Sequence, residues 1–456
     1  MMGRLQNRVW SRFLVAATCV LTAGQAWAFD EAAADRALQF AREQLARTST
    51  SPDIPPHQYP KNTVDNRTWK LVAADNRVDW IQGFYPGLLW YMYEAEEDPV
   101  WRERADARTR PTEVQKTNTQ THDLGFKFFP SFGNAYRLTG EAYYRDVLLT
   151  AAGSLAQRFH APSGVINCCD WNREWKVPLV TDTMMNLELL FWAAENGGDP
   201  AWKDMALSHA LVTLRDMVRP DGGTFHVVDY DAAGNIRSRE TFQGHSDPST
   251  WSRGHAWAIY GFTLAYRYTK DPRMLEAAIK VTDYYLDRLP PDSVPYWDMD
   301  APADQRVKDS SAAAVVASAL LELHTFVTDA AVKERYHSAA LAMLDSLSSS
   351  AYLAAGTQSP GILLHGVAFY RTPIKPKGEA IDESLIYGDY YFVEALLRFK
   401  QSLAVPLPAP GPPPTTPQPP APGGAGEGGC ASAAPGSTMA AAGLLLWLLA
   451  TRRKHA

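Results

Sequence analysis

Residues 182–218 read DTMMNLELLFWAAENGGDPAWKDMALSHALVTLRDMV. Apolar residues recur there at three- and four-residue spacing, the period of a helix with a buried face. Asn196-Gly-Gly-Asp-Pro200 interrupts them with turn residues. The spacing predicts a helical hairpin, 182–196 and 200–218. The same grammar extends outward, predicting helices near 31–47, 81–96, 98–117, 123–138, 141–159, 254–269, 272–288, 309–327, 330–350 and 382–400. Leu138-Thr-Gly140 and Thr269-Lys-Asp-Pro272 serve as turns, and Pro111 and Pro130 should kink or shorten their helices. Paired helices in this number predict an all-α fold. Six hairpins closing into a double ring, an (α/α)6 barrel, satisfy the periodicity, as a helical solenoid also would. The more apolar helices belong to the inner ring, whose N-terminal ends and loops would form a pocket. Two stretches break the pattern: 221–242 reads as a β-hairpin and 355–375 as a long loop with short strands.

The ends of the chain read as targeting devices. Arg4, Arg8 and Arg12 precede an apolar run from Phe13 to Thr22, and Ala26-Trp-Ala28 supplies a small-x-small cleavage pattern. Residues 1–28 are therefore expected to be a signal peptide, and Cys19 would leave with it unless it were a lipoprotein cysteine. The folded helical body is expected over 29–405. Residues 406–429 form a Pro/Gly-rich stalk that cannot pack a core. Residues 430–456 begin at Cys430, continue through the apolar run Met439–Ala450 and end on Arg452-Arg-Lys454. The run is short for a transmembrane helix. This order resembles the MYXO-CTERM sorting tails of myxobacterial surface proteins, which implies processing or anchoring at Cys430. A secreted protein, displayed on the cell surface or outer membrane and touching membrane only through this tail, is the expectation.

A net charge of −6, with no Lys/Arg run in the body, argues against nucleic acid as a partner. Fourteen Trp and 20 Tyr offer flat rings of the kind sugar sites use, although most rings in such a chain pack the core. Cys168 and Cys169 are adjacent, which favours two free thiols over a strained bridge. No CxxC or HExxH spacing occurs, so neither a metal nor another cofactor is expected.

Asp123, in Thr121-His-Asp-Leu-Gly-Phe126, and Asp182, in Val180-Thr-Asp-Thr-Met-Met-Asn-Leu187, each open an apolar helix. Alone, an Asp at a helix start is most often a cap. Two in a poorly solvated mouth would raise each other's pKa, and a carboxyl protonated near neutrality suits general acid catalysis. The segment from Thr241 to Trp257 is the densest polar-aromatic stretch. Within it, Arg253 reads as a bidentate clamp for a substrate carboxylate or as a structural ion pair with Asp247. His226, His245 and His255 are candidate partners for sugar hydroxyls, and Asp309 reads as a cap.

These segments resemble glycoside hydrolase family 88, the unsaturated glucuronyl hydrolases. The resemblance rests on Gly83-Phe-Tyr-Pro-Gly-Leu-Leu-Trp90, His122-Asp-Leu-Gly-Phe126, Asp182 with Met184-Met-Asn-Leu187, and Ser249-Thr-Trp-Ser-Arg-Gly-His-Ala-Trp257. Tyr296-Trp-Asp-Met-Asp-Ala-Pro302, Asp309-Ser-Ser-Ala-Ala313 and Asp382-Glu-Ser-Leu-Ile-Tyr-Gly-Asp389 complete it. It implies an (α/α)6 barrel acting on oligosaccharides that end in a 4,5-unsaturated uronate, by hydration of the C4=C5 bond. It further implies Asp182 as general acid/base, Asp123 as its partner carboxylate, and His226, Gln243, Arg253, Trp257, Trp171 and Tyr85 as substrate contacts. Tyr85 and His255 depart from the family's usual Trp and Gln, which bears on preference for the adjoining sugar. The related unsaturated rhamnogalacturonyl hydrolases, a conventional two-carboxylate glycosidase and a non-catalytic sugar-binding protein are the rival readings.

Overall fold

The structure is a computed structural model that describes residues 29–170, 174–371 and 375–404. The signal, the stalk, Cys430 and the tail lie outside the described residues, as does Trp171.

Each of the twelve predicted helical regions is helical. Helices α1 (Glu31–Thr50), α2 (Phe84–Glu96) and α3 (Pro99–Thr109) come first, then α4 (Leu124–Phe128), α5 (Asn134–Thr139) and α6 (Ala142–Ala156). Next are α7 (Thr183–Glu195), α8 (Ala201–Asp216), α9 (Ser252–Thr269) and α10 (Pro272–Leu286). The last are α11 (Ser310–Phe326), α12 (Ala330–Ser348) and α13 (Ile386–Ala404). Both prolines act as expected. At Pro111 helix α3 tightens into a 3-10 turn, Arg110–Gln115, and at Pro130 a π turn, Phe129–Gly133, joins α4 to α5.

Burial sorts the helices into two rings. Every residue of α9 from Ser252 to Ala265, and of α11 from Ser310 to Leu321, is buried, so these are covered on all sides. By contrast α10 buries Met274, Ala277, Ala278, Val281, Thr282, Tyr284 and Tyr285, a single stripe at helical spacing. Inner helices α2, α4–α5, α7, α9, α11 and α13 pack each on the next, and α13 returns to α2, closing the barrel. Helices α3, α6, α8, α10 and α12 cover them from outside. Helix α1 completes the outer ring against α13, with Phe29 and Phe399 5.1 Å apart. A solenoid would have left α2 and α13 as open ends. Among the described residues no helix is long and apolar enough to cross a membrane.

Tight contacts set the inner ring's registers. A Cβ on Gly125 would lie 2.4 Å from Asn186 Cα, so only glycine lets α4 approach α7 this closely.

Strands gather at the N-terminal ends of the inner helices. The expected hairpin is β6 (Val227–Tyr230) with β7 (Ile236–Glu240), and β5 (Val177–Val180) pairs on β6 as a third, antiparallel strand. The loop near 355–375 contributes β8 (Gly366–Phe369), paired with β9 (Glu379–Glu383). Helix α13 thus begins at Ile386, later than the expected 382. Glu383 is held in the strand by Thr63 Oγ1 and by the backbone N–H groups of Asp65 and Asn66. Those residues turn a hairpin that the helical reading missed, β1 (Gln58–Val64) with β2 (Thr68–Ala73), with φ of 53° and 51° at Asp65 and Asn66. A two-residue pair, β3 (Phe159–His160) with β4 (Val165–Ile166), follows α6.

Candidate active site

A cavity of about 460 Å³ opens at the N-terminal end of the inner ring. Trp80 lies just before α2, His122 and Asp123 open α4, Asp182 opens α7, Trp251 and Arg253 open α9, and Tyr387 opens α13; all line it. Each helix N-terminus carries about half a positive charge, so their convergence favours an anionic ligand.

Asp123 and Asp182 stand at N-cap positions without capping. Their backbones are already near-helical, with ψ of 18° and −31°, and neither side chain accepts a bond from its helix. Asp271, Asp309 and Asp329 have ψ of 117°, 91° and 120°, the extended geometry that turns the carboxylate onto the next turn's N–H groups, and all three cap. The capping explanation therefore fails for the two cavity aspartates and holds, as expected, for Asp309.

Neighbouring side chains hold the pair in place. Thr121 Oγ1 donates to Asp123 Oδ2 at 2.8 Å, and His122 Nε2 lies 3.2 Å from Asp123 Oδ1. The other nitrogen of His122 meets Thr183 Oγ1 at 2.8 Å, tying the start of α4 to the start of α7. Asn186 makes a second tie, its Oδ1 accepting the Phe126 N–H at 2.8 Å and its Nδ2 donating to Asp182 O at 3.3 Å. Among the described side chains, Asp182 receives the Thr181 hydroxyl at 3.2 Å, with His226 Nε2 at 3.8 Å. Burial first, and the Asp123 carboxylate second, push the Asp182 pKa up to about 6 against the opposing pull of Arg253. Burial and the nearby Arg253 hold His226 down to about 3, so the ring is neutral. Its Nδ1 accepts the N–H groups of Phe242 and Gln243, which places the ring proton on Nε2, facing Asp182.

Arg253 is fully buried. Its Nη1 donates to Asp309 at 2.9 Å and to Val367 O, and its Nη2 donates to Ala368 O at 2.7 Å. Its ion-pair partner is Asp309, not Asp247, which instead accepts the Thr241 N–H. With Nη1 taken up by the protein, a clamp through both terminal nitrogens is not available. Arg253 contributes positive charge to the cavity wall and fixes the Val367–Ala368 strand. Gln243 also lines the cavity and donates to Ala368 O at 3.0 Å.

Two expected contacts lie elsewhere. Trp257 is fully buried one turn below Arg253, covered by Phe126 at 5.2 Å and Trp80 at 6.4 Å. Tyr85 is fully buried on the far side of α2, with Arg108 5.7 Å from its ring. Neither lines the cavity. His255 bonds Val281 O and Thr224 Oγ1 in the core, and His245 is also outside the lining. Among the described residues, the aromatic rings that face the cavity are Trp80, Trp175, Trp251, Tyr387, Phe242 and Phe369. Trp251 and Tyr387 fall inside segments singled out from sequence, but their spacing gave no sign of which ring points inward. Lys61, Asp79, Lys375 and Glu379 add a charged rim, where Lys61 bridges Asp79 at 3.0 Å and Glu379 at 3.3 Å.

Cys168 and Cys169 also line the cavity, and they are joined as a disulfide, which corrects the expectation of two thiols. Their backbone is pinned on both sides: the His122 N–H donates to Cys168 O, the Cys168 N–H donates to Pro178 O, and Thr121 bridges Cys169. The local path is thus set by neighbouring strands and not by the preference of an isolated dipeptide.

Comparison with known proteins agrees with this geometry. Residues 56–371 match the profile of Glycosyl Hydrolase Family 88. An unsaturated glucuronyl hydrolase of Formosa agariphila is 42% identical over 71% of this chain and 80% of its own length. An unsaturated chondroitin disaccharide hydrolase of Streptococcus pyogenes is 34% identical over 72% of this chain and 82% of its own. The crystal structure of an unsaturated glucuronyl hydrolase specific for heparin superimposes with a TM-score of 0.77 at 36% identity, covering 82% of this chain and 99% of the other.

Proposed function

The chain belongs to Glycosyl Hydrolase Family 88, and from that membership we infer an unsaturated glucuronyl hydrolase, a glycoside hydrolase that removes the terminal 4,5-unsaturated uronate from lyase-generated oligosaccharides. One observation carries the reading of its chemistry. Two aspartates at adjacent helix starts leave their own helices uncapped, and one of them is protonated well above the usual carboxylate range.

In the proposed reaction Asp182 gives its proton to C4 of the vinyl ether, and positive charge develops at C5 and the ring oxygen. Water adds at C5 and returns a proton to the Asp182 carboxylate, so one water is gained and the acid is restored. The C5 hemiketal opens to a ketone, and the hemiacetal left at C1 expels the neighbouring sugar. Asp123 is assigned to stabilising the developing charge and holding the sugar. His226 Nε2–H and Gln243 are assigned to sugar oxygens, and Arg253 with the helix N-termini to the uronate carboxylate. Trp251 and Tyr387 provide apolar faces. Trp257 and Tyr85 support the wall from behind.

The test is to incubate the mature domain with unsaturated chondroitin, hyaluronan, heparin and pectin disaccharides and follow the ultraviolet absorbance of the enoate. Loss of absorbance with the first three supports the reading. Loss with the pectin product alone would indicate the rhamnogalacturonyl reaction, and unchanged absorbance with retained sugar binding would refute hydrolysis.

We also propose secretion and surface display, supported by the charge and apolar pattern of residues 1–28 and by the stalk, Cys430 and basic end of 406–456. A mature N-terminus near Phe29, and release of Cys430→Ser protein into the medium, are the expected results.

A further inference from the structure

Cys168 and Cys169 lie between the two segments that carry the aspartates. On one side the His122 N–H donates to Cys168 O at 3.0 Å, and Thr121 forms an antiparallel bridge with Cys169. Thr121 in turn meets Asp123 twice, its hydroxyl donating to Oδ2 at 2.8 Å and accepting the Asp123 N–H at 3.1 Å. On the other side the Cys168 N–H donates to Pro178 O at 3.0 Å, within strand β5, which runs on through Val180 to Thr181 and Asp182. The residues flanking the dipeptide are held as well. Buried Arg158 donates to Asn167 O at 2.6 Å, to Thr119 O, and to the Asp170 carboxylate at 2.8 Å. The two cysteines pack with Trp175, Val180 and Val227 and line the cavity. No step of the proposed reaction uses them, and apolar packing alone does not call for a covalent bond between neighbours.

We propose that the Cys168–Cys169 disulfide is a positioning element of this active site, a spacer that sets Asp123 relative to Asp182 and slackens when it is reduced. The bond closes a small ring through the Cys168–Cys169 peptide, and the carbonyl that accepts the His122 N–H belongs to that ring. With the ring open, successive side chains of an extended segment prefer opposite faces. One sulfur then turns away from the wall, and the carbonyl under His122 turns with it. A dithiol reductant supplies the two electrons and two protons: the S–S bond breaks, two S–H bonds form, and the reductant closes its own disulfide. The oxidised pair is the working form. The proposal rests on the reading of Asp123 and Asp182 as the reacting pair.

The test compares the full chain as isolated, the same chain after a dithiol reductant, and the double variant Cys168→Ala/Cys169→Ala. Alkylation and mass spectrometry of the peptide holding both cysteines report their state, circular dichroism the fold, and enoate absorbance the turnover. Reduction should lower kcat about 10- to 100-fold, the cost of misplacing a reacting group by about an ångström, with KM changed far less and the fold retained. Reoxidation should restore turnover. The double variant should match the reduced chain and ignore the reductant, which separates this pair from Cys19 and Cys430. Two free thiols in the active chain as isolated would overturn the proposal, as would full turnover after reduction or in the double variant. Unfolding both on reduction and in the variant would also overturn it, assigning the bond to stability alone. Retained turnover in Asp182→Asn would refute the reading of the reacting pair and the spacer with it, a result distinct from those above.

Discussion

The two ends of the inner ring carry carboxylates in opposite conditions. At the C-terminal end a second cavity, about 220 Å³, is lined by Glu94, Glu188, Glu394, Arg137, Arg267 and Arg398 among others. There Glu394 accepts from Tyr91, Tyr260 and Ser318, Glu188 pairs with Arg267, and Glu322 bridges Arg267 at 3.2 Å and Arg398 at 3.3 Å. At the N-terminal end, among the described residues, Asp182 is met by the Thr181 hydroxyl, a histidine beyond hydrogen-bond distance, a second carboxylate and the charge of Arg253, which is itself paired with Asp309. Charge at the first end is neutralised in place and closes the barrel. At the second it is left under-satisfied, which is the condition for moving a proton.

The sharpest test of this contrast is Asp182→Asn. It should lower kcat by at least about 10³-fold, within the range that removal of a general acid costs, while the thermal midpoint stays within a few degrees. A variant that keeps turnover, or that unfolds, breaks the distinction. Glu394→Gln is the converse: it should cost about 2 kcal/mol of stability by unpairing a largely buried network, seen as a lowered urea midpoint, with kcat near wild type. Next comes pH. Asp182 must be protonated to act and its pKa lies at about 6, so kcat/KM should fall about tenfold per unit as pH rises above that value. A profile flat to pH 8 would remove the donor. Smallest is Asn186→Ala, which leaves the buried Phe126 N–H unpartnered at a cost of about 1–3 kcal/mol. It should reduce kcat several-fold by loosening the tie between the two aspartates, with KM little changed.

Much of the helical frame was legible because apolar spacing is a local property, and α7 and α8 could be read off 182–218 alone. The β1–β2 hairpin was not, because Glu383, more than 300 residues away in the chain, supplies part of its turn's hydrogen bonding. Within the site, Asp123 and Asp182 were legible as costly carboxylates at apolar helix starts. Trp257 and Tyr85 were misplaced because a motif marks a helix without fixing depth or facing. One turn down from Arg253 is already below the cavity floor, and one residue past Phe84 turns toward the outer ring. Trp80, Asn186 and His122 gain their roles only from what lies across from them.

The sequence by itself determined an all-α chain of paired helices and two carboxylates that burial would make costly, since periodicity and desolvation follow from residue type and order. Tertiary structure decided that the rings close, that near-helical backbones at Asp123 and Asp182 turn both carboxylates away from capping, and that Arg253 meets Asp309. Each of these depends on contacts between segments tens to hundreds of residues apart, and no local pattern encodes a distance across the barrel.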